Sequence, residues 1–158
     1  MDTKEKEQCL KLVLAQPQIA RPVIKDALVS GSRVAWLLKA AEQLYDRQEY
    51  VSLLLESLRI DTEGFDEQAQ GRNVDILLAL RETADERIVA RVTSFLQSRN
   101  EDIRMAALEC LEEQASHSER AKECLLKALQ DATDESDHRF LGTLKSIAAR
   151  HQWISENQ

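Results

Sequence analysis

The sequence predicts an all-α protein, an α-solenoid of about nine helices stacked as antiparallel pairs. Three observations carry this. Apolar residues recur with a period of about 3.6 residues through most of the chain. These stripes stop every 12–16 residues, at breaks rich in Asp, Asn, Ser and Gly. Ala, Leu, Glu, Gln, Lys and Arg favour helix, and no segment sustains the apolar/polar alternation of a half-buried strand.

Thr3 is expected to cap a first helix over about 4–15, with Cys9, Leu10, Val13 and Leu14 apolar. Pro17 ends it and can open the second, whose stripe is Ile19, Val23, Ile24, Ala27 and Leu28. Pro22 is awkward inside a first turn and is expected to delay the start. Gly31 reads as a C-cap and Ser32 as the next N-cap. The third helix, about 33–45, carries Val34, Leu37, Leu38, Ala41 and Leu44. The fourth, about 47–59, carries Tyr50, Val51, Leu54, Leu55 and Leu58. A polar break at 61–66 reads as the clearest loop, with Phe65 folding back onto the core. A fifth helix is expected over 67–82 and a sixth over 85–98, the latter with Ile88, Val89, Val92, Phe95 and Leu96 inward. The seventh starts near Asn100 and runs to about Gln114, with Ile103, Ala106, Ala107, Leu108 and Leu111 in its core stripe. The eighth spans about 117–130 and the ninth about 135–151, the latter with Phe140, Leu141, Leu144, Ile147 and Ala148. Trp153 and Ile154 follow and could cover the end of the core.

The helices repeat. Segment 86–97 aligns with 119–130 at a shift of 33, and 48–59 aligns with 86–97 at a shift of 38. Helix pairs are therefore expected at 47–82, 85–114 and 117–151, within one domain spanning 1–158, with 1–46 as an irregular cap. A helix pair of this length cannot bury its apolar face alone, whereas stacked pairs share one core.

Segment 86–114, ERIVARVTSFLQSRNEDIRMAALECLEEQ, carries a more specific pattern. An apolar-Leu pair (Phe95-Leu96) ends the first helix, and Asn100-Glu101-Asp102 forms the turn. Ile103-Arg104 opens the second helix, followed by Ala106-Ala107-Leu108 and Leu111. This resembles the HEAT-repeat family, especially the short HEAT-like repeats of bilin-lyase-type proteins. The resemblance implies that Arg104 packs along the turn between repeats and holds it in shape. It also implies protein–protein contact through the second-helix face. The pattern departs at Arg139-Phe140-Leu141-Gly142, where a small-residue pair is expected, and at 47–82, where the break is longer.

The chain has 158 residues, enough for one domain to fold without a metal or disulfide staple. Residues 1–60 hold 8 acids and 9 bases, whereas 61–158 hold 20 acids and 12 bases, so the net charge of -7 sits in the later part. Such a surface steers basic partners and lacks the basic stripe that nucleic acid requires. The three cysteines are widely spaced and suit a reducing compartment. The charged N-terminus does not read as a signal peptide, and no run is long enough to span a membrane. A cytoplasmic protein is expected.

No catalytic constellation is legible, so no enzyme activity, cofactor or metal is expected. His117, His138 and His151 lack zinc-helix spacing, and Cys110, Cys124 and His138 are too far apart for a compact metal motif. Acidic neighbours argue against a nucleophilic Cys110. The paired carboxylates Glu112-Glu113, Asp85-Glu86 and Asp134-Glu135 read as helix ends and turns. The four glycines are scattered and build no phosphate cradle. The expected partner is a protein, and the candidate contacts on second-helix faces are Arg72, Asp75, Glu109, Glu113 and Lys145. Trp36 and Trp153 read as core or end-cap. The weak repeat pattern at the N-terminus leaves room for a homodimer that covers that end. The alternatives are a DNA-lesion-binding or base-excision protein, for which Arg87, Arg91, Arg99 and Arg104 would supply positive charge, and an accessory to chromophore attachment, which the family resemblance suggests.

Overall fold

The computed structural model describes residues 2–31, 33–59, 67–132 and 137–154. Ser32, the break at 61–66 with Phe65, and Asp134-Glu135 lie outside the described residues. Every regular element described is helical. These are α1 (Thr3–Ala15), α2 (Pro17–Ser30), α3 (Ala35–Leu44), α4 (Arg47–Ser57), α5 (Glu67–Leu80) and α6 (Glu86–Val92). A 3₁₀ segment (Thr93–Gln97) follows, then α7 (Glu101–Ala115), α8 (Glu119–Asp131) and α9 (His138–Arg150). The chain divides into two compact units, Met1–Leu80 and Arg81–Gln158.

Short polar residues set the helix starts by accepting orphan backbone N–H groups. Asp2, rather than Thr3, caps α1: it accepts the Glu5 N–H at 2.8 Å, and Glu5 in return accepts the Asp2 N–H at 3.1 Å. Asp46 and Glu49 repeat this reciprocal box at α4. Asn100, Ser118 and Asp137 cap α7, α8 and α9.

Two expectations about helix course change. α2 begins at Pro17 and runs through Pro22. The carbonyl of Gln18 loses its Pro22 partner, but both residues are exposed, so water can serve it. The single helix expected over 85–98 is α-helical only to Val92 and then tightens into 3₁₀. There Thr93 Oγ1 donates to the Val89 carbonyl at 2.7 Å and Ser94 Oγ to that of Arg91 at 3.0 Å. Such back-bonding competes with the helix ladder and bends it.

In the first unit α3 packs against α1, α2, α4 and α5. The core is built from Ile24, Leu28, Val34, Leu38, Ala41, Val51, Leu54, Leu58, Ile76, Leu77 and Leu80, each under 5% exposed. α1 contributes no buried residue. Ile19 and Val23, expected in the α2 core stripe, face outward; Ala20 joins Ile24 and Leu28 inside instead.

In the second unit α7 is the central helix, in contact with α6, the 3₁₀ segment, α8 and α9. Ile103, Leu108 and Leu111 of α7 are buried with Phe95, Leu96, Leu125, Leu144 and Ile147. Trp36 and Trp153 are both half-buried.

Candidate functional site

The sequence places Arg72 and Asp75 on a second-helix face open to a partner. The structure puts both inside, 6% and 8% exposed. Arg72 Nη1 donates to the Gly31 carbonyl at 2.7 Å. Asp75 Oδ2 accepts the Val34 N–H at 2.9 Å, and its two oxygens take Arg33 Nε and Nη2 at 3.1 and 3.2 Å. Spaced one turn apart on α5, the two residues hold opposite ends of the connection between α2 and α3. Removing a buried backbone N–H or C=O from water requires such a partner.

The same solution recurs with carboxamides. Asn73, 1% exposed, accepts the Arg59 N–H at 3.2 Å and donates to the Arg59 carbonyl at 2.8 Å. Gln114, 2% exposed, accepts the Asp85 N–H at 3.1 Å and donates to the Thr83 carbonyl at 2.6 Å. An amide offers one acceptor and one donor side by side, which matches a bare turn of backbone. Sequence reasoning missed both residues; a polar side chain within the apolar stripe of α7 was the available signal for Gln114.

Arg104 lies in the first turn of α7, beside the connection from the 3₁₀ segment. Nη1 donates to the Ser98 carbonyl at 2.7 Å, Nη2 pairs with Asp137 at 2.9 Å, and the guanidinium lies 5.9 Å from the Phe140 ring centre. One planar fork thus ties the entry of α7 to the start of α9.

α7 and α9 run side by side in the same direction, joined by two ion pairs with the same sequence offset. Arg139 meets Glu101 at 3.3 Å, and Arg150 meets Glu112 at 2.6 Å, both 38 residues apart. Glu112 also takes His151 Nε2 at 2.9 Å, and the His151 ring stacks on Trp153 at 4.9 Å between centroids.

Glu109, Glu113 and Lys145 are exposed, as a contact surface needs. Glu109 pairs with Arg81 at 2.9 Å. The arginines that a nucleic-acid reading would use are largely committed within the chain. Arg87 grips Asp85, which raises its pKa further, Arg91 lies 5.3 Å from the Phe95 ring centre, and Arg104 is held as described.

All three cysteines are free thiols. Burial pushes the Cys110 thiol up to about 12, the opposite of what a nucleophile needs. Among the described residues, no group of three or more His, Cys, Asp or Glu could hold a metal ion. Among them, too, no helix is long and apolar enough to cross a membrane.

One cleft of about 700 Å³ opens in the second unit. Thr93, Leu96 and Gln97 form one wall, and a stripe of α8 from Cys124 to Asp131 forms the other. Asp137, Phe140, Leu141 and Arg104 also line it.

Comparison with known proteins finds no matching family model, no matching curated protein and no matching solved structure.

Proposed function

We propose that this chain is a non-catalytic, HEAT-like helical-repeat module, an α-solenoid scaffold that binds another protein. One observation carries the reading: α2 has two apolar faces and only one is covered. At about 100° per residue, Ala20, Ile24 and Leu28 share the inward face. Val29, Pro22, Ile19 and Val23 occupy a second arc of roughly 120°, broken only by Asp26 and Ser30. Ile19 is 66% exposed and Val23 62%, and Leu12 of α1 is 73% exposed. Aliphatic side chains concentrated this way on one segment are what a protein-contact surface offers.

The repeat reading draws support from Arg104, whose bonds to Ser98 and Asp137 suit a turn-holding arginine, and from the constant 38-residue offset between α7 and α9. Glu109, Glu113 and Lys145 keep an acidic-to-mixed second-helix face available for a basic partner. Arg72 and Asp75 do not belong to that face. Free thiols throughout suit the reducing interior of a cell.

The test is an affinity pulldown from native lysate with the tagged chain, at low and moderate salt, repeated with two double variants. Loss of a specific protein with Ile19→Glu/Val23→Glu alone supports the α2 surface. Loss with Glu109→Lys/Glu113→Lys, and more at higher salt, moves the contact to the second-helix face. Sedimentation of the pure chain shows whether the captured partner is a second copy. Recovery of nucleic acid with no specific protein would sink the reading.

A further inference from the structure

We propose that the outward face of α2 docks a second copy of this chain, the two α2 helices lying antiparallel about a two-fold axis level with Ile24. The proposal rests on the α2 contact reading above and names its occupant.

Among the described residues, the large apolar side chains left exposed are Leu12, Ile19, Val23 and Val29, all of them on α1 and α2. Ile19, Pro22, Asp26 and Val29 are spaced by 3, 4 and 3 residues. That spacing sets them along one seam of α2, on the side away from the buried Ala20, Ile24 and Leu28. Val23 flanks the seam. The spacing is the same from either end of the helix. A reversed copy of α2 therefore brings Ile19 level with Val29 of the second copy, and Pro22 level with its Asp26. Each contact then occurs twice, as a two-fold interface requires.

Charge selects a second copy over another partner. The acid of the seam, Asp26, follows Lys25, and both are exposed. Among the described residues, neither side chain has an ion-pair partner. In the reversed pairing Lys25 stands about 4.5 Å along the axis from Asp26 of the second copy, within the span of a lysine side chain. The symmetry makes both ion pairs at once, so each copy supplies the counter-charge that the other lacks. A strongly charged partner of either sign gains little here, because residues 1–60 hold 8 acids and 9 bases, and the acidic surplus lies in 61–158. For the same reason two copies are not driven apart at this face.

Sedimentation velocity of the full chain over a concentration series tests this. The seam is only about 15 Å long, so the dimer should be weak, with a Kd of about 10 µM. Ile19→Glu/Val23→Glu should raise that Kd by about tenfold or more, with the circular dichroism of the helices unchanged. Lys25→Asp alone and Asp26→Lys alone should each weaken the dimer by setting like charges together. An equimolar mixture of these two variants should dimerise again, because every contact across the axis then joins opposite charges. Native mass spectrometry should show the mixed dimer. All four positions are exposed, so the substitutions leave the core untouched. A dimer indifferent to Ile19→Glu/Val23→Glu overturns the proposal, and so does a mixture that associates no more tightly than either variant alone. A chain that stays monomeric, while the same double variant still loses a protein captured from lysate, overturns the second copy and leaves the α2 contact standing. A monomeric chain whose capture ignores that variant overturns both.

Discussion

Asp75 caps α3 from 41 residues along the chain: its carboxylate accepts the N–H of Val34, the residue before the helix, at 2.9 Å, where α3 has no side-chain cap of its own. Asp75→Ala leaves that buried donor unsatisfied, at a cost of about 2 kcal/mol. Asp75→Asn keeps an acceptor and should cost less than half as much. Arg33→Ala should cost under about 0.5 kcal/mol, because the Arg33 side chain is 75% exposed and its pairing is screened. Urea unfolding midpoints of the three variants rank these effects. Equal losses for Asp75→Asn and Asp75→Ala would show that the cap is not what matters.

Gln114 should be as sensitive as a core leucine. Gln114→Leu fills nearly the same space but strands the Thr83 carbonyl and the Asp85 N–H, for about 2–3 kcal/mol. Hydrogen exchange should rise at Asp85 more than at the centre of α7. Asn73→Leu predicts the same local signature at Arg59.

The Arg104–Asp137 pair joins side chains only 18% and 29% exposed. A double-mutant cycle with Arg104→Ala and Asp137→Ala should give a coupling of about 1–2 kcal/mol. Arg104→Lys should recover little, since an ammonium cannot serve Ser98 and Asp137 as one planar fork. A coupling near zero would leave Ser98 as the partner that counts.

Two glycines should respond with opposite signs. A Cβ at Gly142 would meet nothing within 4 Å on the exposed face of α9, so Gly142→Ala should stabilise by about 0.5–1 kcal/mol. A Cβ at Gly31 would lie 2.7 Å from the Ala27 carbonyl oxygen, which is backbone and cannot swing away. Gly31→Ala should therefore lower the thermal midpoint.

Cys110 makes the fold sensitive to alkali. Its thiol is raised from 9.0 to about 12 by burial, so the folded chain keeps a proton that the unfolded chain releases. The stabilisation is complete below about pH 9 and is lost as pH climbs towards 12. By pH 10 the loss should be about 1 kcal/mol. Cys110→Ala should flatten this part of the stability–pH curve relative to the parent chain, whatever its effect at pH 7.

Much of the helical architecture was legible because the caps and apolar periods are local. Asn100 three residues before Ile103, or Asp46 three before Glu49, announces a helix start from sequence alone. What was not legible depended on contacts far apart in sequence. α2 offers two apolar faces, and only packing decides that Ala20 goes in while Ile19 and Val23 stay out. Arg72 and Asp75 look like ordinary surface residues until the connection near Gly31 and Val34, some 41 positions away, is laid against them. Of the candidate contacts, Glu109, Glu113 and Lys145 are exposed, since each falls off the apolar stripe of its own helix.

The paired rungs between α7 and α9 also have a mechanical side. Arg139–Glu101 and Arg150–Glu112 share one offset, and their acidic ends stand 11 residues apart, about three turns of helix. Sliding α9 along α7 by a single turn, about 5.4 Å, would part both at once and drag Arg104 from Asp137 as well. No intermediate displacement keeps one rung while releasing the other. Under a force along the helix axes these two rods should therefore yield in a single step rather than creep.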